Sequence, residues 1–149
     1  MLPSVLIVED NLEVLDVLIE ALTEEGGYTA YAAHDLEAAR ALIATLGQSL
    51  NLILLDVQLP DGNGISFCAS LRRQGNEIPI IILSGYTGEH DVERAFAAGA
   101  SDYLIKPVHV SVLLARVSVQ LRHGGLKRDG RIVPRRQRVS LSMAMNIQS

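Results

Sequence analysis

Five short apolar runs punctuate the chain, at 4–9, 28–33, 50–56, 79–84 and 101–105. Two of them, LILLD and IPIIILS, are apolar almost throughout with no alternation. That is the pattern of parallel strands buried on both faces. Between the runs, apolar residues recur at helical spacing. Over 12–25, Leu15, Leu18, Ile19 and Leu22 share one face and acids take the other. Over 36–46, Ala39, Leu42, Ile43 and Leu46 do the same, and segments 65–74, 90–98 and 110–122 complete the set. Gly26-Gly27, Gly47, Gly75 and Gly99 each follow a helical stretch, where a helix C-cap favours glycine.

Strict strand–helix alternation, five times over, predicts an α/β fold with an open parallel sheet and helices on both faces. Right-handed crossovers leave few topologies. The flavodoxin-like (βα)5 doubly wound sheet, strand order 2-1-3-4-5, is the expectation, with strands 1 and 3 side by side at the switch point. Composition agrees: 48% of the 149 residues are hydrophobic and 20% charged, and with no Trp and two Phe the core falls to Leu, Ile, Val and Ala. No apolar run approaches the roughly 20 residues of a membrane helix. The N-terminus lacks the basic flank of a signal peptide. The single cysteine, Cys68, excludes an internal disulfide framework and a cysteine-built zinc site. The expected compartment is cytoplasmic, with no membrane partner.

Charge divides the chain. Residues 1–123 carry 7 Lys+Arg against 16 Asp+Glu, a net −9, whereas residues 124–149 carry 6 Lys+Arg against Asp129 alone, a net +5. The expected organisation is a domain over 1–123 followed by a flexible basic tail or linker over 124–149.

Sheets of this kind bind ligands beyond the carboxyl ends of their strands. There the first run ends in Glu9-Asp10, the third in Asp56, the fourth in Ser84 and the fifth in Lys106-Pro107. Each has an ordinary reading: an Asp after a buried strand commonly caps a helix or makes a turn, Ser before Gly is turn chemistry, and Lys106 suits a solvated surface. All four at equivalent strand ends is the stronger signal. Three carboxylates brought together repel one another, and a hard, oxygen-seeking cation such as magnesium relieves that repulsion. A carboxylate nucleophile at Asp56, a metal cradle, the Lys106 cation and the Ser84 hydroxyl together suit phosphoryl transfer.

At these residues the chain resembles the receiver domain of bacterial two-component response regulators. The matching segments are VLIVEDN at 5–11, LILLDVQLPDGNGI at 52–65, PIIILSGYT at 79–87 and GASDYLIKP at 99–107, and the likeness covers about residues 4–122. The resemblance implies that Asp56 accepts a phosphoryl group from a phosphohistidine of a sensor histidine kinase. It also implies that Glu9, Asp10, Asp56 and the Gln58 main-chain carbonyl hold Mg2+, and that Ser84 and Lys106 bind phosphoryl oxygens. Tyr103 matches the switch aromatic that follows Ser84, and the Lys106-Pro107 peptide is expected cis, as in relatives. Several positions depart from the common pattern: Glu9 stands for Asp, Ser84 for Thr and Val108 for Phe. Gln58 and Tyr86 flank the expected water path and are read as slowing loss of the phosphoryl group.

The segment 113–123 resembles the last receiver helix of winged-helix transcription factors. That likeness implies control of transcription and homodimers through helix 4, strand 5 and helix 5. Arg94, Asp102 and Arg116 occupy charged positions of that face, while Ser101 and Val112 stand where acids are usual. A DNA-binding domain would need roughly 100 further residues, so DNA contact is expected only through an absent output domain or, weakly, through the basic tail. Residues 124–149 themselves read as a linker from a longer regulator, a docking tail or a helix formed on association. Two rival functions are a magnesium-dependent aspartyl-phosphate phosphatase and a stand-alone receiver acting by protein binding. The first usually has its nucleophile at the first strand end, not the third. The chain is expected to have no external substrate to turn over, only self-phosphorylation and self-dephosphorylation chemistry.

Overall fold

The computed structural model describes residues 2–85 and 89–129. Its main sheet has five parallel strands: β1 (Ser4–Val8), β2 (Thr29–Ala33), β3 (Leu52–Asp56), β4 (Ile80–Ser84) and β5 (Asp102–Ile105). They lie in the order β2-β1-β3-β4-β5, as the alternation predicts. The helices are α1 (Leu12–Glu20), α2 (Leu36–Leu46), α3 (Gly64–Arg73), α4 (Glu89–Ala97) and α5 (Val110–Asp129).

Because side chains alternate across a strand, each strand feeds two cores. Val5, Ile7, Leu52, Leu54, Ile81 and Leu83 pack with Leu15 and Leu18 of α1 and with Leu113, Leu114 and Val117 of α5. Leu6, Val8, Ile53, Leu55, Ile80 and Ile82 pack on the other face with α2, α3 and Ala95 of α4, and the thiol-bearing Cys68 is buried there as an ordinary core residue. Both faces of β3 and β4 are therefore fully buried, which explains why their sequences show no polar alternation.

Two boundaries differ from the sequence pattern. Segment 12–25 is not one uniform helix: after α1 it widens into a π-helical turn over Ala21–Glu25, with Gly26 N–H donating to the Ala21 carbonyl five residues back. The wider turn carries the consecutive residues Ala21 and Leu22 both into the interior. The other difference is at α5, which does not stop near 122 but continues through Gly124 and Gly125 to Asp129. Interior glycines cost about 1 kcal/mol each relative to alanine, so this extension runs against local propensity, which is why the sequence pattern places the helix end near 122.

Candidate functional site

Local capping settles what the strand-end acids are not. Helix α1 is capped by Asn11, whose side chain accepts the N–H groups of Glu13 and Val14, so Asp10 is not used as its cap. Helix α3 is capped by Asn63, which accepts from Ile65 and Ser66, so Asp56 is not a capping residue either. Both acids stand at the rim without the structural task that would ordinarily explain them.

Parallel register carries the site together. Val8 lies opposite Leu55, and Asp56 lies opposite Leu83. Residues just past those pairs on neighbouring strands thus share one rim. Carboxylate oxygens of Glu9, Asp10 and Asp56 fall within 4.8 Å of one another. Glu9 is 1% and Asp56 8% exposed, while Asp10 is open to solvent. This donor set, hard oxygens with one face toward water, fits a divalent cation of the magnesium type.

Lys106 bridges the two buried acids: its Nζ lies 2.6 Å from Glu9 Oε1 and 3.3 Å from Asp56 Oδ2. Glu9 Oε2 also accepts the Asn11 N–H at 3.1 Å. Burial alone would raise the Glu9 pKa, but the Lys106 hydrogen bond, the Asn11 N–H and the Lys106 charge outweigh it and hold the carboxyl below its ordinary value. Asp56 goes the other way. Burial pushes it up to about 6; the Lys106 charge offsets part of that rise and the Glu9 charge adds to it. Burial would lower the Lys106 pKa, yet its bond to Glu9 and the charges of both acids hold it above the usual lysine value. The closer partner of Lys106 is thus Glu9, which leaves Asp56 the less compensated of the two buried acids.

Ser84 is 1% exposed, and its carbonyl accepts the Lys106 N–H at 2.8 Å. It lies on the same sheet face as Tyr103, which stands opposite Ile82 on β5. Ser84, Tyr103, Val57, Gln58 and Asn63 line a cavity of about 200 Å3 together with Asp91 and Arg94 of α4. Tyr103 is half-buried and borders this space. The Lys106-Pro107 peptide is cis, as expected. Tyr86 and residues 130–149, most of the basic tail, lie outside the described residues. The charges assigned to the helix 4–strand 5–helix 5 face are paired within the chain: Arg116 Nη1 donates to both Asp102 oxygens at 3.0 and 2.9 Å, and Arg94 lies 3.8 Å from Asp91.

Sequence reasoning missed Gly64. Its N–H donates to the Val57 carbonyl at 2.7 Å, and a Cβ there would lie 2.1 Å from the Asp56 carbonyl oxygen. No side chain fits behind the main chain of Asp56. The clue available was the Gly62-Asn63-Gly64 run, which reads only as a turn.

Comparison with known proteins agrees with this geometry. The response regulator receiver domain family matches residues 5–118. The KDP operon transcriptional regulatory protein KdpE of Escherichia coli is 42% identical over 119 residues, which cover 80% of this chain and 51% of that protein. The transcriptional regulatory protein AfsQ1 of Streptomyces coelicolor is 37% identical, over 83% of this chain and 53% of its own. The chain spans about half the length of these relatives. Among solved structures, a CheY-like receiver domain protein from Methanospirillum hungatei superposes with a TM-score of 0.76 at 28% identity, covering 84% of this chain and 98% of that one. A Francisella response regulator receiver domain gives 0.73 at 30% identity, over 81% and 98%. With the family matched over residues 5–118 and relatives 37 to 42% identical across some four-fifths of its length, this chain belongs to the response regulator receiver domains of two-component systems.

Proposed function

We propose that Asp56 is the phosphoacceptor of this receiver and that Glu9, Asp10, Asp56 and the Gln58 main-chain carbonyl hold Mg2+ beside it. The observation that carries the reading is the meeting of three carboxylates and Lys106 at one strand-end rim. A carboxylate oxygen of Asp56 forms a bond to phosphorus while the phosphorus–nitrogen bond of a kinase phosphohistidine breaks, its electron pair staying on the imidazole. With a pKa of about 6, Asp56 is largely ionised at neutral pH and can act as that nucleophile. Bound magnesium would supply charge neutralisation for the phosphoryl oxygens. Lys106 leaves its carboxylate partners for a phosphoryl oxygen, and the Ser84 hydroxyl donates to another. Their movement opens the space that Tyr103 enters, which changes the surface of α4, β5 and α5.

The same reading makes the chain a cytoplasmic phosphorelay component with no external substrate, its body within 1–123 and its output transcriptional. Among the described residues no helix is long and apolar enough to cross a membrane. Exposed Phe96, Ile105 and Val112 lie on α4, β5 and α5, which supports pairing with a second copy through that face. Gln58 lines the cavity beside Ser84 and shields the phosphoryl group; a Gln58→Ala protein that keeps its phosphoryl group as long as wild type does would count against that role.

The test is incubation with acetyl phosphate and magnesium, followed by intact mass. Wild type gains one phosphoryl group and Asp56→Asn gains none. A gain in both proteins, or in neither, refutes the assignment of Asp56.

A further inference from the structure

The connection between β3 and α3 reaches a helix to which it is not joined. Leu36 N–H donates to Asp61 Oδ1 at 2.8 Å, and Glu37 N–H donates to Asp61 Oδ2 at 3.0 Å. Asp35, the cap of that same helix, accepts the Ala38 N–H with its side chain, at 2.8 Å, and no other among the described residues. The opening N–H groups of a helix have no partner within it. Here they are divided between two carboxylates, and the larger share goes to a residue 25 positions away in sequence. The Leu36 N–H holds the Asp61 carboxyl below its ordinary value; burial opposes it, and the Glu37 N–H adds to the lowering.

This connection is a short antiparallel hairpin in which Gln58 pairs with Asn63 and Leu59 with Gly62. Asp61 lies at its tip. At its base the hairpin is closed by the Gly64 N–H on the Val57 carbonyl. The tip rests on the first turn of α2, since a Cβ on Gly62 would come within 2.9 Å of Leu36 Cδ1. Two fixed points, base and tip, therefore hold the stretch that carries Gln58.

The geometry points to Asp61 as a positioning residue for the metal site: its carboxylate clamps the hairpin to α2 and so sets the Gln58 main chain relative to Glu9, Asp10 and Asp56. This rests on the metal reading proposed above. Magnesium demands near-ideal octahedral geometry, so a ligand carried on a loose hairpin binds it less well. Linkage makes the effect reciprocal: bound magnesium steadies the clamp, and the Leu36 and Glu37 amides then exchange with solvent more slowly. A residue that merely caps α2 does neither. Asp35 supplies the control, because it caps the same helix and is not part of the hairpin.

The experiment titrates magnesium calorimetrically into wild type, Asp61→Ala and Asp35→Ala at a temperature where all three are folded. Amide exchange is followed by NMR with and without the metal. Asp61→Ala is expected to bind magnesium roughly tenfold more weakly, while Asp35→Ala binds as wild type does, although both unfold at lower temperature. In wild type, magnesium slows exchange at Leu36 and Glu37. Unchanged affinity in Asp61→Ala, or equal weakening in both variants, overturns the clamp. Wild type that binds no magnesium overturns the metal reading itself and removes the ground for the clamp.

Discussion

At the amino-terminal rim of the sheet, Arg72 donates from Nε and Nη2 to the Gly99 carbonyl at 3.0 and 2.8 Å, and from Nη1 to the carbonyls of Asn76 and Ile78 at 3.0 and 2.7 Å. At the opposite rim, Lys106 is shared between Glu9 and Asp56, and Asp10 stands alongside with no basic partner among the described residues. Both rims hold charge that is at least partly withdrawn from water. At the first, one cation meets neutral acceptors placed to receive every donor it uses, and it ties α3 to the segments that lead into β4 and β5. At the second, negative charge exceeds positive: burial raises the Asp56 pKa, and Lys106, held closer to Glu9, offsets only part of that rise. A partly buried charge marks a functional site when its partners are too few, not merely because it is buried.

The sharpest way to break this comparison is to remove Arg72. Arg72→Met keeps the apolar stem and leaves three carbonyls without their donor. Hydrogen bonds to charged groups contribute more than neutral ones, so the loss is expected at about 3 kcal/mol. For a domain of this size that lowers Tm by roughly 10 °C. Phosphoryl acceptance from acetyl phosphate, measured well below Tm, should stay at the wild-type level. A loss of acceptance in fully folded protein would mean that the amino rim is not the purely structural element the comparison makes it.

Gly64→Ala probes the other rim through its backbone. The new Cβ meets the Asp56 carbonyl oxygen, which cannot swing aside as a side-chain end would. The expected loss is about 2 kcal/mol, in the range of other overpacked sites. Unlike Arg72→Met, this variant should also accept phosphate more slowly at temperatures where it is folded, because relief of the clash moves Asp56 itself. Thermal unfolding together with acetyl-phosphate kinetics separates the two effects.

How legible each rim was follows from the range of the interactions that build it. The strand ends could be read because hydrophobic runs stop at identifiable residues, and parallel pairing aligns those stops: Glu9-Asp10, Asp56, Ser84 and Lys106 were all named from sequence and all meet at the rim. The order of the strands was equally legible, since alternation and crossover handedness leave little choice. Arg72 was not. It follows Leu71 near the end of an amphipathic helix and looks like any solvated arginine until the segments leading into β4 and β5 supply its carbonyls. Asp61, at the head of the Gly62-Asn63-Gly64 run, likewise looks like part of a turn from sequence, because its partners lie 24 and 25 residues back in the chain. The preference of Lys106 for Glu9 over Asp56 is a matter of tenths of an ångström, beyond the reach of any spacing rule.

Asp56→Asn tests the excess charge directly. In metal-free buffer the folded carboxyl titrates near 6, whereas an unfolded aspartate titrates near 3.8. Below about pH 4 both states are protonated and the group costs nothing. As pH rises from about 4 to 6 the unfolded state loses its proton first, so wild type loses stability across that window. Asp56→Asn does not titrate there. Its advantage over wild type should therefore be small at pH 4, grow through pH 6 and level off above it, reaching about 3 kcal/mol. Tm measured from pH 4 to 8 in the presence of a chelator checks the shape. A constant difference at all pH values would locate the effect in packing instead, and the contrast between the rims would lose its electrostatic basis.

The smallest expected effect sharpens the comparison from the structural side. Tyr28 enters β2 at the amino rim and is 2% exposed, and its hydroxyl has no hydrogen-bond partner among the described residues. Burial pushes its pKa up to about 12, with the Arg122 charge opposing. That hydroxyl is the exception on a rim where Arg72 makes four hydrogen bonds to main-chain carbonyls. Deleting an unpaired buried polar atom restores no water and removes no bond, so Tyr28→Phe should stabilise the protein by about 1 kcal/mol and raise Tm by a few degrees. Magnesium affinity and phosphoryl acceptance should not move. A stability loss in Tyr28→Phe would show that the hydroxyl is satisfied in solution. The amino rim would then hold no exception, and unmet polar demand would belong to the carboxyl rim alone.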